Sequence, residues 1–297
     1  MKSDISGRLE SAIVESRAVK QALRPFDDWL NRRFQKAPLR SVKLFLNGSW
    51  LGHPLHPLLT DVPVGAWTAT ILLDVIALVF HAETGLAAGL AAGLGIAAAL
   101  AAAAAGLMDW MDVNPPEKAV GAVHAVLNTS ATIHFAASLA MRWNHHWHTR
   151  PEDFIVALAG YLVLTLGAFL GGSMVYRMGV MINRNAYRSG PDGFTSALAA
   201  AELSENKPRR VEVDGQPILL VRLGEKICAV GAVCSHYGAP LEEGQLVEST
   251  IQCPWHASRF ALEDGEVREG PACAPLPSYE VRVARGQVQV KLRSRPA

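Results

Sequence analysis

Four long apolar runs occupy much of the first two thirds of the chain, and each is long enough to cross a lipid bilayer. They are Leu58–Phe80, Leu86–Leu107, Ala119–Met141 and Phe154–Tyr176. A hydrocarbon core of about 30 Å needs about 20 helical residues. Buried helices of a soluble protein are the alternative, because alanine-rich helices are apolar in both settings. Four consecutive runs with so few charges favour the bilayer and predict a four-helix transmembrane bundle.

The pattern changes near residue 190, where short β-branched and apolar segments alternate with the turn formers Asp214-Gly215, Gly224 and Arg285-Gly286. The predicted strands are Arg210–Val213, Ile218–Arg222, Ile227–Val230, Tyr279–Ala284 and Gln287–Leu292. The predicted fold class is therefore α+β multidomain, a four-helix transmembrane bundle followed by a small all-β domain. The predicted divisions are an N-terminal segment (1–50), the bundle (51–182), a polar linker (183–200) and the β-domain (201–297).

The N-terminal segment has an amphipathic pattern. Phe26, Trp29, Leu30 and Phe34 recur at helical spacing, with Arg32, Arg33 and Lys36 on the remaining turns. This pattern predicts a helix that lies in the membrane surface and contacts lipid. A soluble helix that packs on the β-domain is the alternative. Charges occur throughout the first 57 residues, and no short apolar core precedes a small-residue cleavage site, so no signal peptide is expected.

Loop cations predict the orientation of the bundle. Most lie before the first run, between the second and third, or after the fourth: Lys20, Arg24, Arg32, Arg33, Lys36, Arg40, Lys43, Lys118, Arg177, Arg184 and Arg188. The opposite loops offer Arg142 and Arg150, the latter near Glu152 and Asp153. The excess of Lys and Arg predicts an inner-membrane protein with both termini and the β-domain in the cytoplasm.

Ionisable residues inside the apolar runs fall into two layers. Such a group costs a few kcal/mol in hydrocarbon, so it is expected to face the bundle interior with a partner. The layer nearer the cytoplasm contains His53, His56, Asp61, Asp109, Asp112, His124 and Asn128. The deeper layer contains Asp74, His134 and Tyr161.

Three interpretations of these layers stay open. The imidazoles bind a haem, of type b, or a metal. The Asp and His residues relay protons or hold a quinone head group. The residues form structural pairs. His124 and His134 are about 15 Å apart along one helix, so a haem would need a ligand from another helix, such as His56 opposite His124.

The segments Gly52-His53-Pro54-Leu55-His56-Pro57-Leu58 and Thr60-Asp61-Val62-Pro63-Val64-Gly65 resemble DUF2231, a family of four-span bacterial membrane proteins. The resemblance covers about residues 48–180. It supports the bundle and implies no chemistry.

The β-domain carries two paired motifs, Cys234-Ser-His236 and Cys253-Pro-Trp-His256, with sixteen residues between them. Two thiolates and two imidazoles are ligands of a tetrahedral zinc site, and equally of an iron–sulfur centre in which two thiolates hold one iron and two imidazoles the other. The residues that follow each motif distinguish the two interpretations: Gly238-Ala239-Pro240-Leu241, Ala257-Ser258-Arg259-Phe260, Gly265, Gly270-Pro271-Ala272 and Pro275-Leu276.

These segments resemble the Rieske [2Fe–2S] family from about Leu203 to Leu292. The resemblance implies that Cys234 and Cys253 bind the buried iron, that His236 and His256 bind the outer one, and that Pro271 lies in a loop that covers the cluster. The quinol-oxidising branch of the family has an additional cysteine in each loop. Ala239 and Trp255 stand at those positions, so the chain resembles the ferredoxin-type branch, and Trp255 is expected to shield the cluster. Cys228 and Cys273 are expected to be small hydrophobic residues.

The functions expected from these patterns are redox functions. The leading hypothesis is a membrane-anchored protein that carries single electrons between a soluble donor or acceptor protein and a membrane acceptor, quinone or haem. A redox sensor in the membrane and a subunit of a larger oxidoreductase are the alternatives. No oxygenase iron domain is expected after the last strand, and no nucleotide fingerprint occurs. A formal net charge of +1, with cations clustered beside the apolar runs, argues against nucleic acid as a partner.

Overall fold

The structure is a computed structural model that describes residues 4–293 apart from Gln35, Ala37 and Ser189. The chain divides into two compact units. We call residues 1–47 and 55–180 the helical unit, and residues 48–54 and 181–297 the β unit. His53, predicted beside the first membrane span, therefore belongs to the β unit, where its Nδ1 lies 2.8 Å from the Pro54 carbonyl.

The described part of the helical unit contains seven α-helices. They are α1 (Ile5–Glu15), α2 (Arg17–Phe34), α3 (Leu39–Asn47), α4 (Leu55–Phe80), α5 (Gly85–Met111), α6 (Pro115–Asn144) and α7 (Pro151–Tyr176). The four long helices contain the four predicted apolar runs. α6 and α7 begin earlier than predicted, at Pro115 and Pro151, because proline has no N–H to lose in the first turn and its φ angle suits a helix start.

The four long helices pack as a bundle in which α4 contacts α5 and α7, and α6 contacts α5 and α7. At its centre the Trp67 and Phe135 rings stack with their centroids 4.3 Å apart. Fully buried alanines, Ala92, Ala131 and Ala157, allow this close packing. In the described residues, α4, α5 and α7 are long and apolar enough to cross a membrane by length and composition. α6 is not one of these three helices.

Helices α1 to α3 are tied to the bundle by polar contacts. Lys118 Nζ donates to both carboxylate oxygens of Asp27, at 2.6 Å each. The Asn47 amide donates to Asp109 Oδ1 at 2.8 Å. Asp109 therefore has a partner from α3. Phe26 and Trp29 stay 44% and 50% exposed, and the membrane-surface location of this segment stays a prediction.

A buried ion pair lies in the deeper layer. The Arg142 guanidinium donates to Asp74 Oδ1 at 2.6 Å and to Oδ2 at 2.5 Å, and neither side chain is exposed. Arg142 is therefore not the outer-loop cation that the sequence predicted, because α6 continues past the apolar run to Asn144. The planar guanidinium fits a carboxylate with two parallel hydrogen bonds.

The other two residues of that layer have separate partners. His134 Nδ1 lies 2.7 Å from the Ser130 carbonyl of its own helix. The Tyr161 hydroxyl lies 3.0 Å from Thr68 Oγ1. Asp74, His134 and Tyr161 thus have three separate partners, which lie on α6, on the same helix and on α4, respectively.

The described part of the β unit has ten antiparallel strands in three sheets, of order β1-β10-β9, β2-β3-β4 and β5-β6-β7-β8. The strands are β1 (Thr195–Ala199), β2 (Arg209–Val213), β3 (Gln216–Leu223), β4 (Lys226–Gly231), β5 (Gln245–Val247), β6 (Thr250–Gln252), β7 (Arg259–Ala261), β8 (Val267–Glu269), β9 (Tyr279–Ala284) and β10 (Gln287–Leu292). The predicted strands correspond to β2, β3, β4, β9 and β10. The predicted linker contains β1, whose Thr-Ser-Ala-Leu-Ala sequence has little apolar alternation but pairs with β10.

Replacement of Asp74 by Asn should lower the free energy of unfolding by about 3–5 kcal/mol, because it leaves the buried Arg142 charge without its counterion. Asp61→Asn, an exposed position on the same helix, should change it by about 0.5 kcal/mol or less. Denaturation of the full chain in detergent measures both. The double variant Asp74→Leu/Arg142→Met should lose less than Asp74→Asn alone. An equal effect at positions 74 and 61 would contradict the role of the ion pair.

Candidate metal centre

Two loops of the β unit carry the Cys and His motifs, and their backbones have the same local geometry. The first loop (232–240) follows β4, and the second (253–258) joins β6 to β7. The N–H group of Cys234 donates to the Ala239 carbonyl at 2.9 Å, and that of Cys253 to the Ser258 carbonyl at 2.8 Å. Each cysteine thus closes a loop onto the residue five positions later.

A left-handed residue stands four positions after each cysteine. Gly238 has φ of 82°, and Ala257 has φ of 57°. Glycine adopts this conformation without strain, whereas an L-residue is disfavoured there by roughly 1–2 kcal/mol. A strained residue in a loop that carries chemistry is held by its surroundings. Here the Cys253–Ser258 hydrogen bond encloses Ala257.

The two thiols are buried in the apolar core of the β unit. Cys234 is 1% exposed and Cys253 is 3% exposed, and both belong to a cluster with Leu219, Phe260 and Leu276. This core lies between β3, β4 and the two loops. A thiolate without partners would be disfavoured in such surroundings.

Hydrogen bonds act on both buried thiols and shift their two pKa values in opposite directions. The two thiol side chains form a hydrogen bond with each other. Backbone N–H groups of His236 and Tyr237 donate to the Cys234 sulfur. The Cys234 thiol, together with the N–H groups of Trp255 and His256, lowers the pKa of Cys253 to about 7, although burial acts in the opposite direction. The pKa of Cys234 is raised, by its hydrogen bond with the Cys253 thiol and by burial. The pair therefore favours a single thiolate, on Cys253, before any metal is considered.

The two imidazoles form a second pair. The ring centroids of His236 and His256 are 5.1 Å apart, and the planes are nearly perpendicular at 84°. His236 is 4% exposed, whereas His256 is partly exposed. The Tyr237 ring lies beside both, with centroid distances of 4.8 and 5.6 Å.

The structure thus brings together the four residues that the sequence singled out, as a thiol pair and an imidazole pair. Among the described residues no three His, Cys, Asp or Glu side chains are grouped to hold one metal ion. The donor set can serve two metal ions, with soft sulfur ligands for one and nitrogen ligands for the other. It is compatible with a dinuclear [2Fe–2S] centre.

A third segment, around Pro271, is fastened to both loops. The Ser235 hydroxyl donates to the Ala274 carbonyl at 2.5 Å, and the Ala272 N–H donates to Ser258 Oγ at 3.1 Å. Pro271 is buried. Trp255, expected to shield the site, is 51% exposed, so much of its ring faces solvent.

Sequence reasoning missed the contribution of the predicted linker to the first loop. The Arg184 N–H donates to the Ser235 carbonyl at 3.0 Å, and the Asn185 side-chain amide donates to the Val233 carbonyl at 2.9 Å. The Arg184 guanidinium lies 5.7 Å from the centre of the Tyr237 ring. No motif identified these residues, because turn-forming composition predicts a connection and gives no information about what it binds.

The layer of the helical unit that was predicted to lie nearer the cytoplasm is only partly brought together. His56 and His124 meet, with ring centroids 6.2 Å apart. Asp109 pairs with Asn47, and Asp112 forms an ion pair with Lys43. Asp61 is exposed, so it does not join the two imidazoles in the bundle interior.

Comparison with protein families confirms both resemblances. The model of the Rieske [2Fe–2S] domain matches residues 194–280. The model described as "Predicted membrane protein (DUF2231)" matches residues 52–184. The predicted fusion, the fold class and the [2Fe–2S] cofactor are therefore confirmed.

Similar proteins cover the C-terminal part of the chain. Apoptosis-inducing factor 3 of Homo sapiens is 32% identical over 90 residues, which are 30% of this chain and 15% of that protein. The anthranilate 1,2-dioxygenase ferredoxin subunit of Burkholderia cepacia is 30% identical over 94 residues, 32% of this chain and 87% of that subunit. The solved ferredoxin of carbazole 1,9a-dioxygenase from Nocardioides aromaticivorans IC177 is 29% identical, covers 34% of this chain and 98% of its own, and has a TM-score of 0.33.

Substitution of the two left-handed loop residues, Gly238 and Ala257, should change the stability of the β unit in opposite directions. Gly238→Ala should destabilise the β unit by about 1–2 kcal/mol through the left-handed backbone, since its new Cβ would meet only ordinary contacts, the nearest at 3.7 Å. Ala257→Gly should be neutral or stabilise the unit by up to about 1 kcal/mol, because relief of strain exceeds the added freedom of the unfolded chain. Calorimetry of the full chain measures both. Destabilisation of more than about 1 kcal/mol by Ala257→Gly would contradict this account.

Proposed function

Because the chain belongs to the Rieske [2Fe–2S] family through its C-terminal domain and carries a DUF2231 domain before it, we propose that it is a membrane-anchored carrier of single electrons. The donor side is a soluble protein in the cytoplasm, and the acceptor is quinone or haem in the membrane. The observation that carries this proposal is the pair of buried thiols beside a pair of imidazoles on two matched loops.

We assign Cys234 and Cys253 to one iron, and His236 and His256 to the other. When bound, the cluster supplies one-electron chemistry at a potential of roughly −150 to +300 mV. The protein's part is to hold the four ligands. Backbone N–H groups at both sulfurs stabilise negative charge there, and hydrogen bonds to a cluster's sulfurs are one of the factors that set its potential.

The imidazole side is the edge that a redox partner reaches. His256 is partly exposed, and the neighbouring Trp255 is half exposed, whereas both thiols are buried. Similarity to the ferredoxin subunit of anthranilate 1,2-dioxygenase supports electron exchange with another protein. A partner therefore docks over His256 and Trp255.

The cytoplasmic location of both termini and of the β unit is supported by the distribution of cations. Arg142, one of the few cations assigned to the opposite side, is fully buried in α6 and is therefore not counted among the loop cations. An electron then enters from the cytoplasm.

Substitution of a proposed ligand should remove the cluster. Wild-type protein should contain two irons and two acid-labile sulfides per chain, whereas Cys234→Ser, Cys253→Ser and His236→Ala should lose most of both. His53→Ala, an exposed imidazole of the same unit, should keep them. Iron and sulfide analysis with electron paramagnetic resonance measures this. Anaerobically prepared wild type with stoichiometric zinc and no sulfide would overturn the assignment.

The side from which electrons enter can be tested in vesicles. A membrane-impermeant reductant should reduce the cluster at once in inverted vesicles, but only after detergent is added to right-side-out vesicles. In inverted vesicles a lipid-soluble quinone analogue should then be reduced by wild type. That rate should fall to background in His236→Ala and be unchanged in His53→Ala. Equal rates in wild type and His236→Ala would remove the cluster from the path to quinone.

A further inference from the structure

The helical unit contains a pair of imidazoles for which the Rieske domain gives no explanation. His56 lies on α4 and His124 on α6, and their ring centroids are 6.2 Å apart with the planes at 88°. Both rings lie within the bundle and are only partly exposed. The pair is formed by residues 68 positions apart in the chain, so no local turn explains their approach.

Each ring is held by a backbone carbonyl of another helix. His56 Nδ1 lies 2.8 Å from the Ala102 carbonyl on α5, and His124 Nδ1 lies 2.8 Å from the Gly167 carbonyl on α7. A carbonyl only accepts hydrogen bonds, so each Nδ1 carries the proton and each Nε2 keeps its lone pair. Histidines that bind metals commonly have their second nitrogen fixed in this way.

A glycine follows each accepting carbonyl by four residues, and each ring lies against that glycine. A Cβ atom on Gly106 would come within 2.7 Å of His56 Nδ1, and one on Gly171 within 2.9 Å of His124 Cε1. Such distances are too short for any side chain unless the ring moves. The two hairpins, α4–α5 and α6–α7, therefore repeat one arrangement of ring, carbonyl and glycine.

One further polar group touches the pair. The Asn128 side-chain amide donates to the His124 carbonyl at 2.8 Å, and its nitrogen lies 3.2 and 3.3 Å from the two ring nitrogens of His124. Because these two distances are nearly equal, the amide is not aligned with the Nε2 lone pair. The lone pair stays directed elsewhere.

We propose that His56 and His124 are the two axial ligands of a haem iron in the helical unit. The path from one ring centre to the other would run through both Nε2 atoms and the metal between them. Two metal–nitrogen bonds of about 2.0 Å each, together with the distance from each Nε2 to its own ring centre, add up to the observed centroid separation of 6.2 Å. In the described residues, which include every His, Cys, Asp and Glu of the chain, no third such side chain joins them. A porphyrin supplies the four remaining nitrogens and leaves two axial positions.

The haem at this site would be the membrane acceptor of the electrons. That role rests on the proposed function. As a binding site it stands independently, because it uses no residue of the β unit. His134 provides a matched control. It is a third imidazole on α6, and its Nδ1 bonds within its own helix, to the Ser130 carbonyl.

The test uses the full chain, purified in detergent from cells supplied with a haem precursor. Dithionite difference spectra and the pyridine haemochrome give the haem content. Wild type and His134→Ala should hold one haem per chain. The haem content per chain of His56→Ala and of His124→Ala should be lower by a factor on the order of 10 or more. Iron–sulfur resonance in each sample shows that the β unit is intact, which separates failure of this site from failure of the proposed function.

Two further measurements keep the proposal testable if the alanine variants fold poorly. The oxidised wild type should give the strongly anisotropic low-spin ferric signal of perpendicular axial imidazoles, as the 88° angle requires. His124→Met should retain haem with a changed spectrum, since methionine also binds haem iron. Wild type with a complete cluster and no haem, or with a non-haem metal bound at this pair, would overturn the proposal. So would full haem content in His56→Ala.

Discussion

The β unit depends on the burial of two cysteine thiols in an apolar core that must also stabilise their charge. The sulfurs of Cys234 and Cys253 lie among Leu219, Phe260 and Leu276, where a bare thiolate would be strongly disfavoured. Two loops reduce this cost by turning backbone N–H groups toward each sulfur, and the pKa of Cys253 is lowered while that of Cys234 stays raised. Each loop closes tightly, with a left-handed residue near its end.

The backbone N–H groups must stay in place beside the sulfurs, and several other segments of the β unit hold the two loops. Ser258 joins the second loop to the segment around Pro271, and Ser235 joins the first loop to the same segment. Asn185 and Arg184 hold the first loop from the other direction. The imidazoles can then occupy the more exposed side, while the sulfurs stay in the core.

The elements that could be predicted from the sequence alone are those with a repeating or alternating residue pattern. Long apolar runs predicted the four helices, and the paired Cys and His motifs with their flanking glycines and prolines predicted the loops. Sequence-based prediction failed where the structure depends on a contact between residues far apart in the chain. Arg142 was placed in a loop because the apolar run ends before it, although the helix continues and brings its guanidinium to Asp74. Strand β1 was assigned to a linker because its pairing with β10, a long-range contact, leaves little local signal.

The meeting of His56 and His124 was one of several combinations that the sequence allowed, and only packing selected it. Its repeated arrangement has a consequence for ancestry. If each helical hairpin brings one imidazole, one accepting carbonyl and one bare glycine, then two copies of a single hairpin associating face to face would form the same pair. The bundle has the form expected from duplication of such a hairpin within one gene.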